Sequence, residues 1–70
     1  MVIYLRFISG YRKMTGLSQK EMANKLDISE VTYRNKEHGK KYFNEEEIKK
    51  FYEIVKSVKH DVTIEEIFFS

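Results

Sequence analysis

Five side chains in one short stretch of the chain share a predicted helix face, and four of them could read the edges of nucleic-acid bases. Their spacing of i, i+1, i+4, i+5 and i+8 places them on one face of a helix: Glu30, Val31, Arg34, Asn35 and His38. A guanidinium can donate two hydrogen bonds to guanine, and an amide can form two with adenine. A carboxylate can accept a hydrogen bond from cytosine, and a branched apolar group can contact the thymine methyl. We therefore predict that Glu30, Val31, Arg34 and Asn35 contact base edges. The alternative is a solvated helix surface on which Glu30 only favours the helix dipole.

Short helices are predicted to position these side chains, and no strand is expected. The first helix runs from about Ile3 to Thr15, although Met1 to Tyr4 would also suit an edge strand. The helix that carries the base-reading face runs from about Glu30 to His38. The other start and stop signals are Gly16 after the first helix, capping boxes at Ser18/Glu21, Asn44/Glu47 and Thr63/Glu66, a cap at Ser29 and a terminator at Gly39. Residues at helical spacing predict the inward faces: Leu5, Ile8, Tyr11, Met22, Ala23, Leu26, Ile28, Tyr33, Ile48, Phe51, Val55, Val58, Ile64, Ile67 and Phe68.

Charge is distributed unevenly along the 70 residues. Residues 1–41 carry nine basic and four acidic side chains, a net charge of +5, whereas residues 42–70 carry four basic and seven acidic ones, a net charge of −3. Such a distribution favours binding to a polyanion with the basic half of the chain facing it. Lysines that merely solvate helix faces are the alternative interpretation.

Several classes of protein are excluded or disfavoured by composition. The chain has no cysteine and two distant histidines, which predicts no disulfide, no metal site and no cofactor. No nucleophile with a nearby base and no phosphate-binding glycine loop is present, so an enzyme is not expected. The apolar run at the N-terminus is too short for a signal peptide or a membrane span, which predicts a cytoplasmic protein with no membrane partner.

The residues from position 16 to 40 resemble those of a known family. The run Gly16 to Ser29, followed by Thr32-Tyr33 and by Glu37 to Lys40, is similar to the helix-turn-helix of the Cro and phage-repressor (Xre-like) family. The resemblance covers about residues 5–68 and implies an all-α, compact five-helix domain of the lambda-repressor type. One domain is expected over residues 1–70, with the helix-turn-helix motif at about 18–38.

The resemblance also implies a function and partners. It implies a transcriptional regulator, specifically a repressor of bacterial or phage type, that reads a palindromic operator in double-stranded DNA as a homodimer. Apolar residues without an obvious inward use are candidates for the dimer interface: Val2, Tyr4, Phe68 and Phe69. Phe68 and Phe69 could instead cover the monomer core. The alternative function is an antitoxin or another protein-interaction module with the same fold and a protein partner.

Further roles are expected around the base-reading helix. The family match implies that Arg12 and Glu37 form a partly buried ion pair that orients this helix. Residues at the helix starts and after the helix are expected to hold the DNA backbone: Ser18, Gln19, Ser29, Thr32, His38, Lys40 and Lys41. A solvated loop is the alternative for Lys40 and Lys41.

Three positions depart from the family pattern. Asp27 occupies the turn position that is usually glycine, and aspartate tolerates the left-handed region better than most residues. Lys36 occupies a usually apolar position, where its stem is expected to cover the core while its amine points outward. Gly10 weakens the first helix by roughly 1 kcal/mol.

Overall fold

The protein is built from five short helices, as seen in a computed structural model that describes residues 5–69 and the side chains of residues 8–69. The helices are α1 Leu5–Thr15, α2 Gln19–Lys25, α3 Glu30–Glu37, α4 Glu45–Lys56 and α5 Ile64–Phe68. No strand occurs among residues 5–69, which confirms the all-helical prediction for this part of the chain. Ile3 and the ambiguous stretch Met1 to Tyr4 lie outside the described residues. The helix α3 ends one residue earlier than predicted, because His38 is its C-cap.

The helix starts follow local capping chemistry. The side chains of Ser18, Ser29, Asn44 and Thr63 each accept a hydrogen bond from a backbone N–H in the first turn of the helix that follows. Three of these starts are complete capping boxes, because Glu21, Glu47 and Glu66 accept in return from the cap backbone. Each cap satisfies amides that a helix start leaves without a partner, which confirms the predicted boxes.

Left-handed backbone conformations end three of the helices. Gly16 has a φ of 82° and Gly39 a φ of 85°, as the terminator positions require. Asp27 has a φ of 63°, so the turn between α2 and α3 carries a side chain in the left-handed region. Only glycine adopts this region freely, and aspartate tolerates it better than most residues.

The core lies where all five helices meet. Its largest fully buried side chains are Tyr33, Phe51, Ile8, Met22, Ile67 and Val55. The ring of Phe43, from the loop before α4, lies within 5.6–6.2 Å of the rings of Tyr33, Phe51 and Phe68. Such aromatic pairs contribute about 0.5–1.5 kcal/mol beyond the area they bury.

One alternative for Phe68 is supported, and the prediction for Val58 is wrong. Of the two roles considered for Phe68, the structure shows the cover of the monomer core, because the ring is 7% exposed and packs on Phe43 and Phe51. Val58 was expected on the inward face of α4, but it is 50% exposed. The reason is that α4 ends at Lys56, so Val58 no longer follows the helical spacing. None of the helices in residues 5–69 has the length and apolar character needed to cross a bilayer.

Candidate nucleic-acid interface

A short turn joins α2 to α3 and fixes how the two helices meet. Backbone hydrogen bonds from Asp27 N to Asn24 O (3.1 Å) and from Ile28 N to Ala23 O (3.0 Å) fold the chain back onto α2. Ala23 is 1% exposed, in the region where α2 packs against α3. A side chain larger than that of Ala23 would force the helices apart, so the small residue permits the close packing.

The buried end of α3 is held by the carboxylate of Glu37. Its Oε2 accepts from Arg12 Nε at 2.8 Å and from the hydroxyl of Tyr33 at 2.6 Å. Its Oε1 accepts from Gln19 Nε2 at 2.9 Å. Arg12 Nη1 also donates to the backbone oxygen of Leu17 at 3.0 Å. The expected contact between Arg12 and Glu37 is therefore present, and it lies within a network that ties α3 to α1 and α2.

The charges in this network support one another. Burial alone would raise the pKa of Glu37, but hydrogen bonds from Arg12, Tyr33 and Gln19 outweigh it, and the net pKa is lowered. Burial acts to lower the pKa of Arg12, whereas its bond to Glu37 and the carboxylate charge raise it, and the net pKa is raised. Burial and the bond to Glu37 both raise the pKa of Tyr33. Both members of the ion pair consequently stay charged, and Tyr33 stays a donor.

The opposite face of α3 is open to solvent. Val31 is 65% exposed, Arg34 and His38 are exposed, and Glu30 and Asn35 are half-buried. The structure thus brings all five predicted side chains to one surface. Arg34 Nη2 donates to Glu30 Oε2 at 2.9 Å, and Arg34 Nε donates to Gln19 Oε1 at 3.4 Å. This surface combines donors, acceptors and one exposed apolar branch, which is the chemistry that base edges require.

The hydroxyls at the helix starts are used locally. Ser18 caps α2, and Ser29 caps α3 by accepting from Thr32 N at 3.1 Å. The hydroxyl of Ser29 donates to Thr32 Oγ1 at 2.8 Å, which leaves the hydroxyl hydrogen of Thr32 for another acceptor. Gln19, expected as a contact to the DNA backbone, donates one amide hydrogen to Glu37.

The loop after α3 presents two cations and an aromatic ring. Lys40 and Lys41 are exposed and make no ion pair with any residue between 5 and 69. Tyr42 is 92% exposed and follows them directly. Sequence reasoning missed Tyr42, although an aromatic residue beside two lysines and outside any helical stripe was a signal for it. The loop can offer positive charge and a phenolic hydroxyl to an anion.

Lys36 does not point its amine outward as predicted. Its Nζ lies 2.6 Å from Glu47 Oε1, and the two side chains are only 11% and 6% exposed. Glu47 Oε1 also accepts from Asn44 N at 2.9 Å, since the same carboxylate closes the capping box of α4. Pairing with this carboxylate keeps the amine out of the solvent. The pair links α3 to the start of α4.

The remaining candidate residues lie at the chain ends. Phe69 is 68% exposed and stays a candidate for a contact between two copies, in contrast to the buried Phe68. Val2 and Tyr4 lie outside the described residues.

Other surface features do not coincide with this face. A groove of about 540 Å³ is lined by the ends of α1 and α2, by α4 and by residues that follow α1 and α4, and none of its residues is a candidate site residue. Within residues 5–69, no three His, Cys, Asp or Glu side chains are grouped to hold a metal ion.

The described fold and surface define an all-helical domain with a polar, solvent-facing helix anchored by a buried ion pair. Comparisons with protein-family models, curated proteins and solved structures found no match for this chain.

Proposed function

We propose that the protein is a sequence-specific double-stranded DNA-binding protein that reads the major groove with α3. Transcription would be repressed when the protein occupies its operator. In this proposal α2 and α3 act as a helix-turn-helix of the Cro and phage-repressor type.

The observation that carries the proposal is the two-sided character of α3. One side is fixed in the core by Tyr33 and Glu37, which are 0% and 4% exposed. The other side presents Val31, Arg34 and Asn35 to solvent or close to it. A rigid helix with a polar outer face is what base recognition in the major groove requires, because small errors in position lose the hydrogen bonds.

Backbone contacts would come from the residues beside this helix. Lys40 and Lys41 supply positive charge at the C-terminal end of α3, and Thr32 retains a hydroxyl donor on its outer side. In the proposal these groups, together with the amides in the first turn of α2, hold the phosphates and set the position of α3 in the groove.

The proposed assembly is a homodimer on a palindrome. The described part of the chain measures 29 × 26 × 20 Å, and half-sites in successive major grooves lie roughly 34–36 Å apart. One copy presents one α3 and is smaller than this spacing, so two copies are needed to read two half-sites.

The first test is a selection of binders from a random duplex library with the wild-type protein. We expect an enriched two-fold palindrome, which is lost when both Arg34 and Asn35 are replaced by Ala. Lys49→Ala, on the exposed surface of α4, removes the same single positive charge, so it is the matched control and should enrich the same sequence. Weak binding without enrichment, steeply dependent on salt, would contradict sequence reading and favour the protein-interaction alternative.

A further inference from the structure

The guanidinium of Arg34 is held between two acceptors on the surface. Gln19 Oε1 accepts from its Nε at 3.4 Å, and Glu30 Oε2 accepts from its Nη2 at 2.9 Å. A guanidinium has five N–H donors, so these bonds leave both hydrogens of Nη1 and one of Nη2. Among residues 5–69 no side chain accepts from Nη1. Arg34 therefore keeps enough donors to form two hydrogen bonds with guanine.

The direction of the Gln19 amide is set from the interior. A carboxylate only accepts hydrogen bonds, so the amide must turn its Nε2 toward Glu37, which accepts at 2.9 Å. Its Oε1 consequently faces Arg34. Glu37 is fixed in turn by Arg12 and Tyr33. A continuous chain of hydrogen bonds thus runs from the buried ion pair to the exposed guanidinium.

The ion pair with Arg34 gives the Glu30 carboxylate a partner on the protein itself. The two groups lie four residues apart on the same helix and are 39% and 48% exposed, so both reach the outer surface. A free carboxylate at that surface would be repelled by DNA phosphates, whereas a carboxylate paired with Arg34 is neutralised. Holding Arg34 in one conformation before binding also reduces the entropy that this long side chain loses on the DNA.

We infer that Glu30 and Gln19 are positioning residues that hold Arg34 for recognition of guanine, and that Glu30 does not read a base pair of its own. This inference rests on the proposed function and assigns the specificity at one base pair to a three-residue unit. It differs from the sequence-based expectation that Glu30 accepts from cytosine.

The test compares base preferences of four proteins: wild type, Glu30→Gln, Arg34→Ala and the double variant. Each is titrated against the selected duplex and against duplexes changed at one base pair. The ratio of two affinities of one variant does not depend on its folded fraction, so partial unfolding does not affect the result. We expect Arg34→Ala to lose the guanine preference at one base pair by roughly 5- to 150-fold, the range that a bidentate contact supplies.

The Glu30→Gln variant should reduce the preference at that same base pair by about twofold or more, the lower limit of coupling between contacting residues. The double variant should show the preference of Arg34→Ala and no further loss. Glu45→Gln is the matched control, because Glu45 is also the first residue of a helix and its carboxylate makes no hydrogen bond with a described residue. It should leave every base preference unchanged.

Two results would overturn the inference. A Glu30→Gln effect at a different base pair, or an effect that adds to that of Arg34→Ala, would make Glu30 an independent reader while leaving the proposed function intact. A wild-type protein that enriches no sequence would overturn both the inference and the proposed function.

Discussion

The carboxylate of Glu37 is a single group on which three helices depend. Arg12 is 8% exposed and has this carboxylate as its ionic partner. Replacing Glu37 with Gln leaves the guanidinium buried without a counter-charge, which costs about 3–5 kcal/mol when a buried pair is broken. We expect a decrease of that size in the free energy of unfolding, measured with urea.

Glu45→Gln serves as the control for the change in net charge and should have an effect within about 0.5 kcal/mol, as is usual at surface positions. Equal stability of wild type and Glu37→Gln would show that the network does not stabilise the fold. Replacing both Arg12 and Glu37 with Met should cost less than Glu37→Gln alone, since no charge is then left buried.

The contribution of Glu37 to stability depends on pH in a defined direction. Because its pKa is lower in the folded protein than the ordinary 4.5, the unfolded state binds the proton more readily. The stabilisation by Glu37 is complete above pH 4.5. It is lost as the pH falls through the lower pKa that Glu37 has in the folded protein. The stability difference between wild type and Glu37→Gln should therefore be constant above pH 4.5 and decrease below it.

Urea unfolding of both proteins across this pH range measures the effect. Exposed carboxylates with lowered pKa, such as Glu21 and Asp61, are present in both proteins and cancel in the difference. A difference that grows as the pH falls would contradict the assignment.

Side chains whose partners lie far along the sequence were the least predictable. The pairing of Lys36 with Glu47 and the bond between Gln19 and Glu37 span 11 and 18 residues. No local pattern contains both partners of such a contact, so the sequence predicts neither the inward pairing of the Lys36 amine nor the bond from Gln19 to Glu37. The pair of Arg12 and Glu37 was anticipated only because a family resemblance supplied it.

At the scale of elements, local chemistry made the helix starts predictable. Each capping box joins a cap to a residue three positions later, so the sequence alone contains both partners. The positions of Phe43 and Val58 depend instead on where α4 begins and ends and on what packs around it. For this reason the aromatic contribution of Phe43 was missed and Val58 was placed wrongly.

Gly10, inside α1, and Gly16, directly after α1, predict opposite effects of the same substitution. A Cβ built on Gly10 meets no atom of the described residues within 4 Å. Gly10→Ala should stabilise the protein by about 1 kcal/mol, because alanine favours the helix and restricts the unfolded chain. Gly16 has the same free space but a φ of 82°, so Gly16→Ala should destabilise by about 1–2 kcal/mol.

Thermal unfolding followed by circular dichroism distinguishes the two variants. A change of 1 kcal/mol corresponds to a shift in Tm of about 4–8 °C for a domain of this size. Destabilisation by Gly10→Ala would contradict the free space that the described residues leave around this position.

At the scale of the whole molecule, the uneven charge predicts how binding depends on salt. If Lys40 and Lys41 each neutralise one phosphate, Lys40→Ala and Lys41→Ala should each reduce the slope of log Kd against log salt by about 0.9. Base preferences should not change, because phosphate contacts carry no sequence information. Lys49→Ala, in the acidic half of the chain, should leave the slope unaltered.

Fluorescence titrations of a labelled duplex at several salt concentrations provide the slopes. If all three substitutions reduced the slope equally, the salt dependence of binding would be determined by net charge and not by the loop after α3.

Association of two copies is expected to involve Phe69, which is 68% exposed at the end of α5. Phe69→Ser should convert a dimer to a monomer and weaken binding to a palindrome, while the unfolding of the monomer changes little because the ring is not in the core. Val58→Ser removes a comparable exposed apolar group, 50% exposed, and is the control. Sedimentation over a range of concentrations measures the association, and a dimer that persists in Phe69→Ser would exclude this surface.

The loop after α3 is exposed in its middle and held at both ends. Lys36, before the loop, pairs with Glu47, after it, and Phe43 packs against the core. Trypsin should therefore cut after Lys40 or Lys41 without releasing either fragment, so that the nicked chain migrates as one species until it is denatured. Bound DNA would cover the same peptide bonds if the loop holds the phosphates. The rate of cleavage in the presence of a duplex would then serve as a footprint of the protein itself.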